Sequence, residues 1–104
     1  MSKRLEVLQK MIASGTGDAA FARYALAMEL KSLGRLDESL QAFEALRAFD
    51  ATYVAQYLMA GGVADALGKK DVARAWYEQG IAAARGKGDH HALGELEGAL
   101  AALG

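Results

Sequence analysis

The sequence predicts an all-α fold in which about six helices form antiparallel hairpins that stack side by side. The stretch Leu-Gly-Arg-Leu-Asp at residues 33–37 returns, loosened, as Leu-Gly-Lys-Lys-Asp at 67–71, so that the two glycines are 34 residues apart. Each copy lies between two apolar patterns of helical spacing. A fixed period with a central glycine turn is typical of helical-hairpin repeats. The chain also lacks proline and is rich in alanine and leucine, which favours uninterrupted helices.

Composition limits the classes of function that the chain supports. Its 104 residues suffice for one domain with a modest core, and 53% of them are hydrophobic. Twelve basic and thirteen acidic residues give a net charge of -1. Nucleic-acid binders usually carry a clustered positive excess. The basic residues here form no such cluster, so we expect no nucleic-acid partner.

The sequence also argues against membrane and secretory roles. It has no cysteine for disulfides or thiolate chemistry, and no apolar run approaches the ~20 residues of a membrane span. The N-terminal Met-Ser-Lys-Arg leads directly into an amphipathic pattern without a long apolar segment. We therefore expect a cytoplasmic protein without a membrane partner.

The first three helices follow from their apolar spacing and their end signals. The first covers residues 3–14, and Asp18 is the expected N-cap of the second, because its carboxylate can accept from unpaired backbone N–H groups. Gly34 ends the second helix, and Asp37 lies at the start of the third. The apolar bands comprise Leu5, Leu8, Met11 and Ile12; then Phe21, Ala22, Ala25, Leu26, Leu30 and Leu33; then Leu36, Leu40, Phe43 and Leu46.

The fourth helix is expected at about residues 53–67. Asp50 and Thr52 are alternative caps for its start. Gly61 and Gly62 fall in its middle, where each glycine costs up to ~1 kcal/mol relative to alanine.

The last two helices complete the array. Gly68 ends the fourth helix, and Asp71 is expected to start the fifth, in which Trp76 should be at least partly buried. Residues 86–88 predict a turn, and Asp89 caps a sixth helix. Short loops between helices of this length make sequential neighbours antiparallel.

The pattern resembles the tetratricopeptide repeat family, whose repeat is a hairpin of two helices, A and B, joined by a glycine turn. In that family helix A carries a bulky residue, a Leu-Gly pair and an aromatic residue. Helix B carries a small, an aromatic and a second small residue. The second repeat matches through Tyr57, Gly61, Gly68, Ala73, Tyr77 and Gly80. The first matches through Leu26, Ala27, Leu30, Gly34, Ser39 and Phe43. The departures are Arg23 at the bulky position, Leu46 at the last small position, and Ala51 and Arg85 at the usual proline positions.

The resemblance implies a short right-handed solenoid that forms a single domain over residues 1–104. Residues 18–50 form the first repeat and 52–86 the second. The leading helix at 3–14 has the register of a helix B, and the last helix at 89–103 resembles the solvating cap of such arrays.

No motif in the sequence points to catalysis, a metal or a cofactor. His90 and His91 are adjacent, so on a helix they point about 100° apart and do not form a two-ligand clamp. The Gly-x-Gly triplets at 15–17 and 86–88 follow no predicted strand and complete no phosphate-binding spacing. Without cysteine, a nucleophile–base pair is hard to assemble. We therefore expect no catalytic residue, no metal site and no cofactor.

Helix A lines the inner wall of the superhelix in this family, so the resemblance implies a peptide-binding groove. The candidate groove residues are Phe21, Tyr24, Met28 and Lys31 in the first repeat and Leu58 and Asp65 in the second. Direct spacing supports part of this set, because Tyr24, Met28 and Lys31 lie at i, i+4 and i+7 on one helix face. That face is distinct from the leucine line of the second helix, which consists of Leu26, Leu30 and Leu33.

The groove differs from the one with which some family members grip a C-terminal carboxylate. Tyr24, Met28 and Met59 stand where those proteins have lysine and asparagine, and none supplies a comparable charge-assisted donor. The sequence therefore favours a non-enzymatic protein-interaction module with an apolar groove for a peptide or an amphipathic helix of another protein. The alternative is a self-associating, homodimeric assembly subunit, and a small enzyme is the third hypothesis.

Overall fold

The computed structural model describes residues 2–104, and within that range it contains six α-helices and no β-strand. The helices are α1 (Lys3–Ser14), α2 (Ala19–Ser32), α3 (Leu36–Phe49), α4 (Ala55–Ala66), α5 (Lys70–Lys87) and α6 (His90–Leu103). The all-α fold predicted from the sequence is confirmed, and the helices are arranged as a short helical-repeat solenoid.

Each helix packs against the next one along the chain, so that α2 with α3 forms a first hairpin and α4 with α5 a second hairpin. The even-numbered helices also touch one another, since α4 packs against both α2 and α6. Within residues 2–104, the Cα atoms of α3 stay more than 8 Å from those of α1 and α5. The even-numbered helices therefore form the closer, inner row of the solenoid.

The helix ends largely follow the predicted signals. The Asp18 carboxylate accepts the Phe21 N–H at 3.0 Å, and the Asp89 carboxylate accepts the Ala92 N–H at 3.0 Å. Gly34 and Gly68 have φ values of 75° and 77°, a left-handed conformation that glycine adopts without a steric penalty. Both predicted glycine turns are thereby confirmed.

Two predicted helix boundaries are wrong. Neither Asp50 nor Thr52 caps α4, because the Asp50 carboxylate instead accepts the Thr52 N–H at 3.0 Å and hydroxyl at 2.6 Å. These two bonds, led by the hydroxyl, hold the pKa of Asp50 below its usual range. The helix begins after Val54, without a side-chain cap.

The second error is at the end of α5, where the turn predicted over 86–88 begins two residues later, at Gly88. The helix continues through Gly86 to Lys87, and only Gly88 adopts the left-handed conformation, with φ of 65°.

The core lies between the two rows of helices. Trp76 is 1% exposed, which confirms its predicted burial. Its ring centroid is 5.8 Å from that of Tyr57. Phe43 and Leu46 are fully buried. The leucine line of α2 is only partly internal, because Leu33 is 44% exposed next to the glycine turn.

Two helical glycines are required by close helix contacts in the second hairpin. A Cβ added to Gly61 would overlap the ring of Tyr77 on the facing helix. A Cβ added to Gly80 would lie 2.5 Å from the Cβ of Tyr57 and 2.9 Å from Leu96 Cδ2. The close approach of α4 and α5 therefore depends on both glycines.

Candidate functional site

A cleft of about 300 Å³ opens on the inner row of helices, between α4 and α6. Its walls come mainly from these two helices, and α2 contributes one aromatic side chain. The residues that line it are Tyr24, Val54, Ala55, Leu58, Met59, Asp89, His91, Ala92, Glu95 and Leu96.

The floor of the cleft is apolar. Val54 and Leu96 are buried, and Leu58 and Met59 are half-buried and pack against the main core. Val54 and Ala55 line the cleft at the uncapped start of α4. Methionine adapts its shape to an occupant more readily than branched side chains do. This floor therefore suits an apolar side chain from a partner.

The α6 wall of the cleft carries its polar groups. His91 Nε2 lies 3.2 Å from Glu95 Oε1, one helical turn further along. The Asp89 carboxylate caps α6 through the Ala92 N–H. Neither lysine nor arginine is among the residues that line the cleft, so its fixed charges are acidic.

Tyr24 forms the α2 side of the cleft and is held in place by two other aromatic rings. Its ring centroid is 6.2 Å from that of Phe43 in an edge-to-face arrangement and 5.4 Å from that of Tyr53. Burial raises the pKa of the Tyr24 hydroxyl. The pKa of Tyr53 is also raised, first by burial and then by the nearby Tyr24 and Asp18. Tyr24 is therefore a neutral, positioned aromatic over the physiological pH range.

Two of the residues predicted for the groove, Tyr24 and Leu58, come together in this cleft. The other four, Phe21, Met28, Lys31 and Asp65, do not line it. Their part in binding stays a prediction.

The four residues outside the cleft occupy different surroundings. Phe21 is 53% exposed at the start of α2, and Met28 is half-buried against the core. Lys31 Nζ lies 4.0 Å from Met59 Sδ. Asp65 is exposed on α4. The pKa of Tyr77 is raised first by the burial of its own hydroxyl and then by the negative charge of Asp65.

The residues of α6 were missed because sequence reasoning treated this helix only as a cap. The alternation of the hairpins contained the missing signal, since a sixth helix in such an array falls beside the fourth in the inner row. The acidic wall follows from that placement together with the i, i+4 spacing of His91 and Glu95.

In the part of the chain that the structure describes, no group of three or more histidine, cysteine, aspartate or glutamate side chains is placed to hold a metal ion. None of the six helices is long and apolar enough to cross a membrane.

Comparison with solved structures finds close relatives of this fold. The solution structure of a protein from Bordetella parapertussis matches with a TM-score of 0.82 and 30% identity, over 99% of this chain and 89% of that one. The solution structure of a tetratricopeptide repeat domain protein from Salinibacter ruber matches with a TM-score of 0.77 and 36% identity, over 81% of this chain and 85% of that one.

A crystal structure of a tetratricopeptide repeat domain protein from Salinibacter ruber gives a TM-score of 0.76 and 36% identity, over 81% of this chain and 94% of that one. No family model and no curated protein matches the chain. The family resemblance suggested by the sequence pattern therefore agrees with an independent structural match.

Proposed function

Because this chain belongs to the tetratricopeptide repeat family, we propose that it is a non-catalytic protein-interaction module whose inner row of helices binds a peptide or helix of a partner protein. The cleft between α4 and α6 is the proposed centre of the binding surface. Tyr24 and Leu58 are its proposed anchoring residues.

The observation that carries this proposal is the apolar, open floor of the cleft. A volume of about 300 Å³ is at the lower end of the range for ligand sites and is large enough for one or two apolar side chains. Binding grooves for amphipathic helices take anchor side chains at i, i+3 or i+4 in this way. Leu58, Met59 and Leu96 supply the apolar contacts that such anchors need.

The chemistry available in the chain also favours binding over catalysis. The sequence has no cysteine, and its only two histidines are adjacent. His91 faces Glu95 at the cleft, but no serine or threonine lines the cleft with them. A nucleophile activated by a neighbouring base is therefore not assembled at this site.

Selection of a random peptide library on the immobilised protein tests this proposal. We expect selected peptides whose affinity falls at least tenfold in Leu58→Asp, because a carboxylate on the floor would have to be desolvated against the anchor. The matched control is Val72→Asp, which places the same charge on an exposed position of α5 outside the cleft. Circular dichroism melts of both variants verify that they remain folded.

Two outcomes would contradict the proposal. If no selected peptide depended on Leu58, the cleft would not be the binding surface. If sedimentation velocity showed a dimer at every dilution, and Leu58→Asp dissociated it, the cleft would serve self-association instead. We expect a monomer at low micromolar concentration.

A further inference from the structure

We infer that the cleft prefers a cationic partner segment, in which a lysine or arginine lies one helical turn from the apolar side chain that enters the floor. This inference rests on the proposed function and specifies the partner's chemistry at the same site. The apolar anchor contacts Leu58 and Met59, and the cation lies against the acidic wall of α6.

The α6 wall carries two carboxylates that can face an incoming cation. Glu95 is half-exposed at the cleft, and its ion-pair partner among the described residues is His91, whose side chain is 89% exposed and charged only when protonated. The Asp89 carboxylate accepts the Ala92 N–H through Oδ1. Both carboxylates therefore retain acceptor capacity toward an incoming cation.

Two lysines of the chain lie near the cleft but do not line it. Lys31 lies near Met59 but is not among the residues that line the cleft. Lys87 lines a neighbouring depression beside Tyr53 and Asp89, rather than the cleft. An acidic segment in the cleft would meet Asp89 and Glu95, and no lysine or arginine lines the cleft to compensate it, so the charge pattern selects against acidic partners.

The acidic wall is long enough to meet a cation that lies next to the apolar anchor on a partner helix. Glu95 lies six positions after Asp89, so the acidic wall extends for about 9 Å along α6 at 1.5 Å per residue. On a partner helix, side chains at i and i+3 or i+4 are about 5–6 Å apart. One such pair can therefore place an anchor on the floor and a cation on the wall. The ring of Tyr24 offers a further surface on which a guanidinium can stack.

The size of the effect follows from the exposure of the wall. Ion pairs between exposed groups are weak and are screened by salt, which corresponds to about a two- to fivefold change in affinity for one pair. The apolar floor therefore supplies most of the affinity, and the α6 wall selects among apolar segments by charge.

The test uses a random 12-residue peptide library displayed on phage and selected on the wild-type protein at low ionic strength. We expect enrichment of lysine or arginine three or four positions from a leucine, isoleucine or phenylalanine. The best peptide should bind Glu95→Gln about two- to fivefold more weakly than wild type, and its affinity for the variant should depend less on salt.

A matched control variant and a paired peptide sharpen this test. Glu97→Gln removes the same charge from the same helix, but at a residue that pairs with Arg85 and does not line the cleft, so it should leave affinity unchanged. Replacing the peptide's cation by glutamine should weaken binding to the wild type and not to Glu95→Gln.

The outcomes separate the inference from the function on which it rests. Peptides that depend on Leu58 but show no basic enrichment, or that lose equal affinity in Glu95→Gln and Glu97→Gln, would overturn the inference alone. The absence of any Leu58-dependent peptide would overturn both.

Discussion

At one pair of positions the two hairpins place the bulky side chain on opposite helices, although their residues correspond at a constant offset of 34. In the first hairpin α3 carries the fully buried Leu46, and Arg23 stands at the bulky position of α2. In the second hairpin α5 carries Gly80 at the position of Leu46, and α4 supplies the buried Tyr57. Volume lost from one helix is supplied by its partner.

A second pair of positions shows a polar contact replaced by close packing. In the first hairpin the buried Ser39 hydroxyl donates a hydrogen bond of 2.8 Å to the Ala27 carbonyl. The corresponding residues of the second hairpin are Ala73 and Gly61, and here the ring of Tyr77 covers the glycine. The same hairpin geometry is thus stabilised by different interactions.

This difference shows that the repeat is constrained by the space shared between its two helices rather than by single residues. Close-packed interiors tolerate substitutions that conserve total volume far better than those that add or remove it. Substitutions in one hairpin at a time test this constraint.

The largest effect is expected from Leu46→Ala, which removes the volume that α3 supplies to the first hairpin. The free energy of unfolding should fall by about 2–5 kcal/mol, because the side chain is fully buried. Urea denaturation measures this loss. Leu33→Ala, at a position 44% exposed, is the control and should change stability by about 0.5 kcal/mol or less. Equal effects of the two variants would show that Leu46 does not supply the buried volume of the first hairpin.

The next effect is a contrast between adjacent glycines in α4. Gly61→Ala should destabilise the protein by about 1–2 kcal/mol net, because overlap with Tyr77 outweighs the gain in helix propensity. Gly62→Ala meets nothing within 4 Å and should stabilise by up to ~1 kcal/mol. Thermal melts compare the two. Stabilisation by both variants would show that the Tyr77 ring moves aside easily.

A smaller effect is expected from Ser39→Ala, which removes the polar contact peculiar to the first hairpin. Loss of its buried hydrogen bond to Ala27 should cost about 0.5–1.5 kcal/mol. The exposed Ser32→Ala serves as the control in the same denaturation series. A neutral result at Ser39 would mean that packing alone holds the two helices together there.

The smallest effect is expected from the ion pair that follows the first glycine turn, and it depends on pH. In the first hairpin Arg35 donates to both carboxylate oxygens of Glu38, at 2.9 and 2.6 Å, and these bonds hold the pKa of Glu38 below its ordinary 4.5. The corresponding residues of the second hairpin are Lys69 and Val72, which lack the carboxylate.

Because the pKa of Glu38 is depressed, its contribution to stability is present above pH 4.5 and is lost as the pH falls through the folded-state pKa. Arg35→Gln should raise the pKa of Glu38 toward its ordinary value, as measured by NMR titration of the carboxyl group. An unchanged pKa would show that the ion pair does not persist in solution.

The features that the sequence predicted well are those that depend on a few neighbouring residues. Asp18 and Asp89 cap helices as expected, and Gly34 and Gly68 end them, because each signal acts within one turn of the chain. The start of α4 was misjudged because two local uses of Asp50 compete. Its carboxylate can cap a helix or close a turn onto Thr52, and sequence spacing alone does not rank the two.

The candidate site was predicted only in part for a different physical reason. The family resemblance implied both Tyr24 and Leu58, and the spacing along α2 supported Tyr24 independently. The wall made by Asp89, His91 and Glu95 depends on the packing of α6 against α4, across more than 30 residues of chain. Such a contact is fixed by tertiary packing, and no local pattern encodes it.

The position of α6 in the solenoid has a consequence for local unfolding. Among the described helices it packs only against α5 and α4, and Gly94 and Gly98 lie in it with open space around them. Helices with few neighbours and glycines in their interior open at a low free energy, and their amide hydrogens exchange early. One wall of the proposed binding cleft is thus a part of the molecule that opens readily. An occupant that contacts both α4 and α6 would hold α6 in place and slow the hydrogen exchange of its amides.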